Sequence, residues 1–403
     1  MQIHRLALKN FKCFKEVDIS FSKITLLTGE NSSGKSSLIY GILAPLQSIN
    51  LNSNSFPLYL SLNGDYVSMG GFQEVSFNHN LKNYIDISLT FSEDKNAYNF
   101  NTSWEFDTLT KSHRLNHLDM SYYRGKAEVN QNQDLSYIVN IESKNIIDLH
   151  IQSIDALSSD ENWQDNYFAC AILDLYSDFN IHNNFNFISP FRLSPERTYY
   201  KSISNKIDKF GDGYIDQIIK WNDNFTGTAF AFTSILKNLN ILYDIKAQKL
   251  PGGRFDIKVK VKSRSKWESL ADVGFGTSQF LPIIVADLQL SDHSTLIISQ
   301  PEAHLHPSVQ ANLGNYLVKQ VKEKNKNYIV ETHSEYLLNR MRLLIVKGEI
   351  QPEDVAVYYF ENSIKDGSIA HRLEFTKNGQ ILNAPKGFFE TYMIDTMDIA
   401  LNA

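Results

Sequence analysis

The sequence predicts an α/β protein whose nucleotide-binding core is interrupted by a long insertion. Three observations lead there. Residues Gly29 to Ser37, GENSSGKSS, match the phosphate-loop pattern G-x-x-x-x-G-K-[ST]. From about residue 268 onward, helical segments alternate with buried strands, as in an α/β fold. Between them, residues 51–180 are rich in Asn, Ser, Asp, Tyr and Phe and break into short alternating runs.

Taken in order, Ile3 to Leu8 and Val17 to Phe21 alternate apolar and polar residues as strands do. Ile24 to Thr28 reads as a buried strand delivering the loop, and Leu38 to Leu43 opens a helix behind it. Runs such as Tyr84 to Leu89 predict an antiparallel β insertion with long polar turns. Ile215, Ile218, Ile219 and Trp221 recur at helical spacing, so 206–247 is helical in part. Phe255, Ile257, Val259 and Val261 alternate as in a half-exposed strand. Phe280 to Leu290 reads as a helix with Pro282 near its first turn, where a missing N–H costs least. The expected division is a first core segment at 1–50, an inserted β-rich and helical lobe at 51–265, and a second core segment at 266–403. No heptad run is long enough for a long coiled coil, and no internal repeat is visible.

At 403 residues the chain is long enough for a large core, and 42% apolar residues is ordinary for a globular protein. The net charge of −6 advertises no global affinity for nucleic acid. Two cysteines, Cys13 and Cys170, form neither a metal-ligand spacing nor a disulfide framework, which suits a reducing compartment. Met1 to Arg5 begins no long apolar segment, and the longest apolar run, around Phe280 to Ala286, is too short to span a bilayer. A cytoplasmic location with no membrane partner is expected.

In the loop itself, the glycines let the backbone wrap a phosphate. The amides of Asn31, Ser32, Ser33 and Gly34 and the following helix N-terminus aim partial positive charge at it. Lys35 is placed to reach the β- and γ-phosphates, and the Ser36 hydroxyl, with Ser37 beside it, to meet Mg²⁺. ATP and Mg²⁺ are therefore the expected cofactors. Four further segments carry chemistry. Asp272 to Gln279, DVGFGTSQ, offers glycines and hydroxyls before a helix, either a second anion site or a glycine-rich cap. Thr295 to Pro307, TLIISQPEAHLHP, is an apolar strand delivering polar residues at its C-terminal end, where ligands sit in open α/β sheets. Its His304 and His306 lack a nearby cysteine or third ligand, so surface or capping roles outrank zinc. Tyr328 to Ser334, YIVETHS, ends a second buried strand; His333 there either bonds a γ-phosphate, orients a water, or is structural, and its place favours function. Two prolines pin Ile188 to Arg197 in extended form around Arg192, which either contacts phosphate or holds an ion pair.

The order GENSSGKSS, DVGFGTSQ, IISQPEAHLHP, ETHS resembles the ABC-type ATPases of the RecF, SMC and OLD group, in particular the small bacterial ATPases related to OLD nucleases. LKNFKCFKEVDISF, PFRLSPERTYY and the C-terminal VAVYYFE, LEF, NGQIL and PKGFFE also resemble that group, whereas residues 51–180 do not. The resemblance implies an ABC-type core, a mixed sheet with flanking helices. Gly29 to Ser37 would be Walker A. Gly274 to Ser278, including Gly276 and Thr277, would be the signature acting on the ATP of a second copy. Ser299 and Gln300 would close Walker B, Ala303 to His306 would be the D-loop, His333 the switch histidine, and Gln73 the metal-contacting Q-loop glutamine. Lys12 and Phe14 would flank adenine. One departure stands out. Walker B in this group ends in acidic residues, one supporting Mg²⁺ and the next orienting the attacking water. Ser299 and Gln300 are neutral, and a neutral pair is no general base. Glu302 is the nearest carboxylate in sequence and is the expected substitute, with Gln300 and His333 as the other catalytic candidates.

These readings imply an ATPase of uncertain turnover rate that forms a homodimer around ATP. By resemblance it would act as the sensor or regulatory subunit of a bacterial antiphage defence complex such as Septu, PARIS or a retron-associated system, controlling a separate nuclease or toxin effector. A nuclease in its own right is disfavoured, since the residues after Ser334 lack the acidic spacing of a Toprim domain. Two alternatives remain. One is a RecF-like DNA-binding ATPase using Lys258, Lys260 and Lys262 on one strand face. The other is an ATP-dependent scaffold without turnover.

Overall fold

The computed structural model describes residues 1–50, 60–93, 96–109, 111–122, 125–131, 137–143, 145–151, 184–202, 206–223, 227–363, 365–385, 388 and 401. Cys170 and most of the final PKGFFE segment lie outside them. The chain divides into two compact units, one of Met1–Phe21, Ser32–Phe185 and Asn362–Ile369, the other of Ser22–Asn31, Asn186–Glu361 and Ala370–Ala403.

The first unit is an antiparallel meander. Strands β1 (Gln2–Phe11) and β2 (Phe14–Ser20) form a hairpin, and β1 then pairs with β4 (Ile85–Glu93). From β4 the sheet continues through β5 (Asn96–Asp107), β6 (Ser112–Tyr122), β7 (Gly125–Gln131), β8 (Tyr137–Ser143) and β9 (Asn145–Ile151). The polar, alternating composition of 51–180 therefore becomes the expected antiparallel β structure among the described residues. Helix α1 (Lys35–Asn50) and the single turn α2 (Phe72–Val75) complete the parts used below.

The second unit holds the parallel core. Its strands run in the order β10 (Phe185–Ile188), β15 (Thr295–Ser299), β16 (Asn327–Glu331), β3 (Ile24–Gly29) and β17 (Val355–Ser363). The pairs β15–β16, β16–β3 and β3–β17 are parallel. β15 and β16 are buried at every residue, as strands covered on both faces are. Between the parallel strands run α5 (Phe275–Gln289), α6 (Pro307–Lys324) and α7 (Glu335–Val346). Leu26, Ile284, Ile298, Leu317, Val330 and Val357 belong to one core cluster. A small antiparallel sheet of β11 (Tyr199–Tyr200), β12 (Asp244–Lys249), β13 (Arg254–Lys260) and β14 (Glu268–Ser269) adjoins α3 (Tyr214–Asp223) and α4 (Gly227–Asn238) in this unit. β18 (Gly367–Phe375) follows β17, and β19 (Ile381–Leu382) pairs with β18. The fold is thus mixed α/β, and the longest described helix, α6, has 18 residues. No described helix is long and apolar enough to cross a membrane.

Three expectations change. The boundaries at 50 and 265 do not coincide with the compact units: β1 bonds directly to β4, and residues from Asn186 onward join the parallel core. The helix read as Phe280 to Leu290 begins five residues earlier, at Phe275. Pro282 is therefore interior, where it removes the N–H that would bond the Ser278 carbonyl. Sequence placed the start late because α5 is apolar on all sides and shows no periodic face. β13 ends at Lys260, so Lys262 lies in the turn beyond the strand.

Candidate nucleotide site

The phosphate loop leaves β3 at Gly29, which has φ +132°. A Cβ there would fall 2.1 Å from the Phe360 carbonyl oxygen, because Gly29 and Phe360 are paired on β3 and β17. Only glycine allows that approach. The Glu30 N–H donates to the same carbonyl at 3.2 Å. Ser32 (φ +59°) and Gly34 (φ +101°) then take left-handed conformations, the local geometry that turns successive amides toward one anion. A Cβ on Gly34 would lie 2.8 Å from the Cys13 Sγ and the Phe14 Cζ. Helix α1 starts at Lys35, with the Leu38 N–H donating to the Gly34 carbonyl at 2.9 Å. Ser33, Gly34 and Lys35 are buried, whereas Asn31, Ser32 and Ser36 are exposed and Ser37 is half-buried. The exposed Ser36 hydroxyl on the first turn of a helix, beside loop amides and a lysine, is a donor set that fits a metal-bound triphosphate.

At the ends of β15 and β16 a second arrangement forms, wholly within the second unit. Gln300 follows β15 with φ +48°, an uncommon conformation for a side chain of its size. It is held from both sides: its N–H donates to the Glu331 carbonyl at 2.7 Å, and its own carbonyl accepts from Arg192 Nη2 at 3.2 Å. The same nitrogen donates to the Ser299 carbonyl at 2.7 Å. Arg192 is 7% exposed, and its Nε and Nη1 have no hydrogen-bond partner among the described residues. Burial pulls its pKa down to about 10, opposed by the nearby Glu302 charge, so it stays protonated at neutral pH. Arg192 thus clamps the turn after β15 through main-chain carbonyls, from 107 residues away along the chain.

Glu302 is also committed. Its Oε1 accepts the His333 N–H at 2.7 Å, and its Oε2 is shut from solvent without a partner. Burial raises its pKa, against the lowering effects of the His333 and Glu302 backbone N–H groups, the Thr332 side chain and Arg192. The structure places Glu302 against the main chain of His333, which holds one of its two carboxylate oxygens. His333 itself is exposed, and Ser334 caps α7 by accepting from the Leu337 N–H at 3.1 Å.

The Gly274–Ser278 segment forms the cap and first turn of α5. A Cβ on Gly276 would meet the His304 carbonyl at 2.2 Å, so this glycine lets the main chain at His304 pass, and the His304 ring stands edge-on to Phe275 with centroids 5.1 Å apart. Gly274 and Phe275 are exposed and Thr277 half-buried. Ser278 is fully buried and its hydroxyl donates to the Phe275 carbonyl at 2.8 Å, so the structure removes it from the residues that could meet a ligand. His306 accepts from the Ser308 N–H as the cap of α6, with Pro307 at the first helical position, and no metal-binding group of His, Cys, Asp and Glu occurs among the described residues.

Residues 24–339 match the family model described as "AAA domain, putative AbiEii toxin, Type IV TA system". The chain belongs to this AAA-domain family. A second model, described as a protein of unknown function (DUF3696), matches residues 350–399. No curated protein matches the chain. Similar solved structures include the SMC head domain from Thermotoga maritima, 12% identical over 92% of this chain and 98% of that one, with a TM-score of 0.42. Another is an SMC head bound to the C-winged helix domain of ScpA, 15% identical over 94% and 99%, with a TM-score of 0.49. A third, an SMC head with an extended coiled coil from Pyrococcus furiosus bound to the C-terminal domain of ScpA, is 11% identical over 99% of each chain, with a TM-score of 0.42.

The remaining expected residues lie in the first unit. Lys12 sits in the β1–β2 turn at φ +50°, its N–H donating to the Val75 carbonyl of α2 at 2.6 Å. Its ammonium stands 5.8 Å from the Tyr40 ring centroid, and burial lowers its pKa against the Cys13 and Glu74 charges. Gln73 lies on the same α2 turn with an exposed side chain, so Lys12 and Gln73 are brought close in the fold. Phe14 is corrected: it is fully buried beneath Gly34 and cannot flank a base. Sequence reasoning assigned no role to Glu331, the buried last residue of β16. The available signal was its place directly before Thr332-His333 on a core strand.

Proposed function

We propose that the chain binds Mg²⁺–ATP at Gly29 to Ser37, pairs with a second copy around the nucleotide, and hydrolyses it slowly. Gly274 and Thr277 of each copy then face the other's triphosphate. The observation that carries this reading is the phosphate loop: a glycine forced by Phe360, two left-handed residues, and a helix opening at a buried lysine followed by an exposed serine. Slow turnover follows from Ser299 and Gln300. A glutamine can orient a water without accepting its proton, so Gln300 supports hydrolysis less than a carboxylate would. We place the protein as the regulatory subunit of an antiphage defence complex that restrains a separate nuclease or toxin. The family description, which names a toxin and a type IV toxin–antitoxin system, supports that setting. The test is phosphate release and solution mass of the purified protein with and without ATP. Nucleotide-dependent doubling of mass and turnover abolished by Lys35→Ala are expected; turnover unchanged by Lys35→Ala eliminates the reading.

One observation favours a second reading, a DNA-binding ATPase. On the β12–β13 face the Lys246 and Lys260 ammonium groups stand 4.4 and 5.3 Å from the Trp267 ring centroid, with Lys258 beside Lys246 in register. Lys258 is partly neutralised by Asp256 at 2.8 Å. Salt-sensitive binding of duplex DNA, lost on Lys246→Glu with Lys260→Glu, is the expected result of this reading. No binding at low salt removes it.

A further inference from the structure

We infer that Glu331 is the carboxylate that serves the metal–nucleotide in place of the acid missing from the end of β15. The inference rests on the nucleotide reading above. Strands β15 and β16 are parallel and in register, and Ser299 is paired with Glu331. Directly paired residues of adjacent strands put their side chains on the same face of the sheet, about 4.8 Å apart at the backbone. Glu331 therefore projects from the same face and level as Ser299, one strand over. The displacement is toward the loop: β16 is the strand between β15 and β3, and Glu331 is itself paired with Leu27, two residues before Gly29.

Both positions are buried, Ser299 at 2% and Glu331 at 4% exposure. Glu302 is engaged elsewhere, since its carboxylate accepts the His333 N–H. The backbone fixes Glu331 further: its carbonyl accepts the Gln300 N–H, tying the two strand ends together. The division of labour is then plain. Ser299 brings no negative charge to metal-bound water, and Glu331 supplies it from the neighbouring strand. Gln300 orients the attacking water as a neutral group.

The experiment is a Mg²⁺ titration of binding of a fluorescent ATP analogue to the full chain, with thermal melting in parallel. A carboxylate supporting a metal from outside its direct ligands changes metal affinity about 10- to 100-fold when removed. Glu331→Gln is expected to raise the Mg²⁺ concentration at half-saturation by about tenfold, with nucleotide binding in EDTA unchanged. Ser299→Asp in the Glu331→Gln background is expected to restore the wild-type half-point by returning the carboxylate to β15. An unchanged half-point in Glu331→Gln, or a fall in melting temperature without that shift, overturns the inference; so does a double variant that is not rescued. If Glu331→Gln does not fold, Glu331→Asp keeps the charge and withdraws it by one methylene. A smaller shift in the same direction is then expected, and none overturns the proposal. A wild-type chain that binds no nucleotide is a different failure, that of the underlying reading.

Discussion

The end of β3 and the end of β15 are both C-terminal ends of parallel core strands, and they are built by opposite means. At β3 everything needed is local: Gly29 to Ser37 supplies the turn, the amides, the lysine and the hydroxyl from one continuous stretch. At β15 almost nothing is local. Arg192 arrives from 107 residues upstream to hold Ser299 and Gln300, Glu331 from the next strand takes the Gln300 N–H, and Glu302 reaches forward to His333. A local site depends on its own residues. A site assembled from distant segments depends on the fold, and its weak points are the clamps rather than the groups at the surface. The difference predicts that variants at the two ends fail in different ways.

The largest effect belongs to the loop. Lys35→Ala removes a charged partner of the triphosphate, and truncating one member of such a pair costs about 4 kcal/mol, roughly a thousandfold in affinity. Saturating nucleotide should protect the wild type against thermal denaturation by about 2.7 kcal/mol at about a hundredfold excess over Kd, and should not protect the variant. Isothermal titration and melting curves check both. Retained protection in Lys35→Ala would break the claim that this end is self-contained.

Next comes the clamp. Arg192→Ala deletes both hydrogen bonds to the turn after β15 and leaves the Ser299 and Gln300 carbonyls without that donor. Losing a charged hydrogen-bond donor from a buried site is expected to cost about 3 kcal/mol of stability, read by denaturant unfolding. Arg192→Lys keeps the charge but not the planar fork, so it should recover part of the loss. Because the clamp is one of the two contacts that hold Gln300 in its left-handed conformation, turnover should fall further than ATP affinity. Equal losses in turnover and affinity would show that the two ends are not separable.

The same contrast explains what was legible in the sequence. The loop, its strand and its helix could be read because the pattern, the buried run Ile24 to Thr28 and the phosphate chemistry lie side by side. The strand–helix alternation after residue 268 was equally visible. The start of α5 was not, since Gly274-Phe275-Gly276 reads as a loop until Gly276 is seen packed on the His304 carbonyl. Arg192 was noticed but left between two roles, because its partners are main-chain carbonyls and no side-chain pattern records them. Nearness in sequence points to Glu302 as the substitute acid, whereas register puts Glu331 beside Ser299. Where neighbouring strands meet, distance along the chain does not measure which residues lie side by side.

The smallest effect is a pH dependence that separates a buried structural carboxylate from a working one. Burial raises the Glu302 pKa above its ordinary value of 4.5. The folded protein therefore holds this proton to higher pH than the unfolded chain does, and stability falls as pH rises wherever the folded state binds more protons. The contribution of Glu302 is fully present below pH 4.5 and is lost as pH rises through the folded value. Glu302→Gln keeps an oxygen for the His333 N–H and has no proton to lose. The stability of wild type relative to Glu302→Gln should thus decline from pH 4.5 upward and then level off, by less than the Arg192→Ala loss. Unfolding curves at a series of pH values measure it. A relative stability that instead rises across that range would mean Glu302 is better ionised than neutral in the fold. It would then be free to compete with Glu331 for the role at the end of β15.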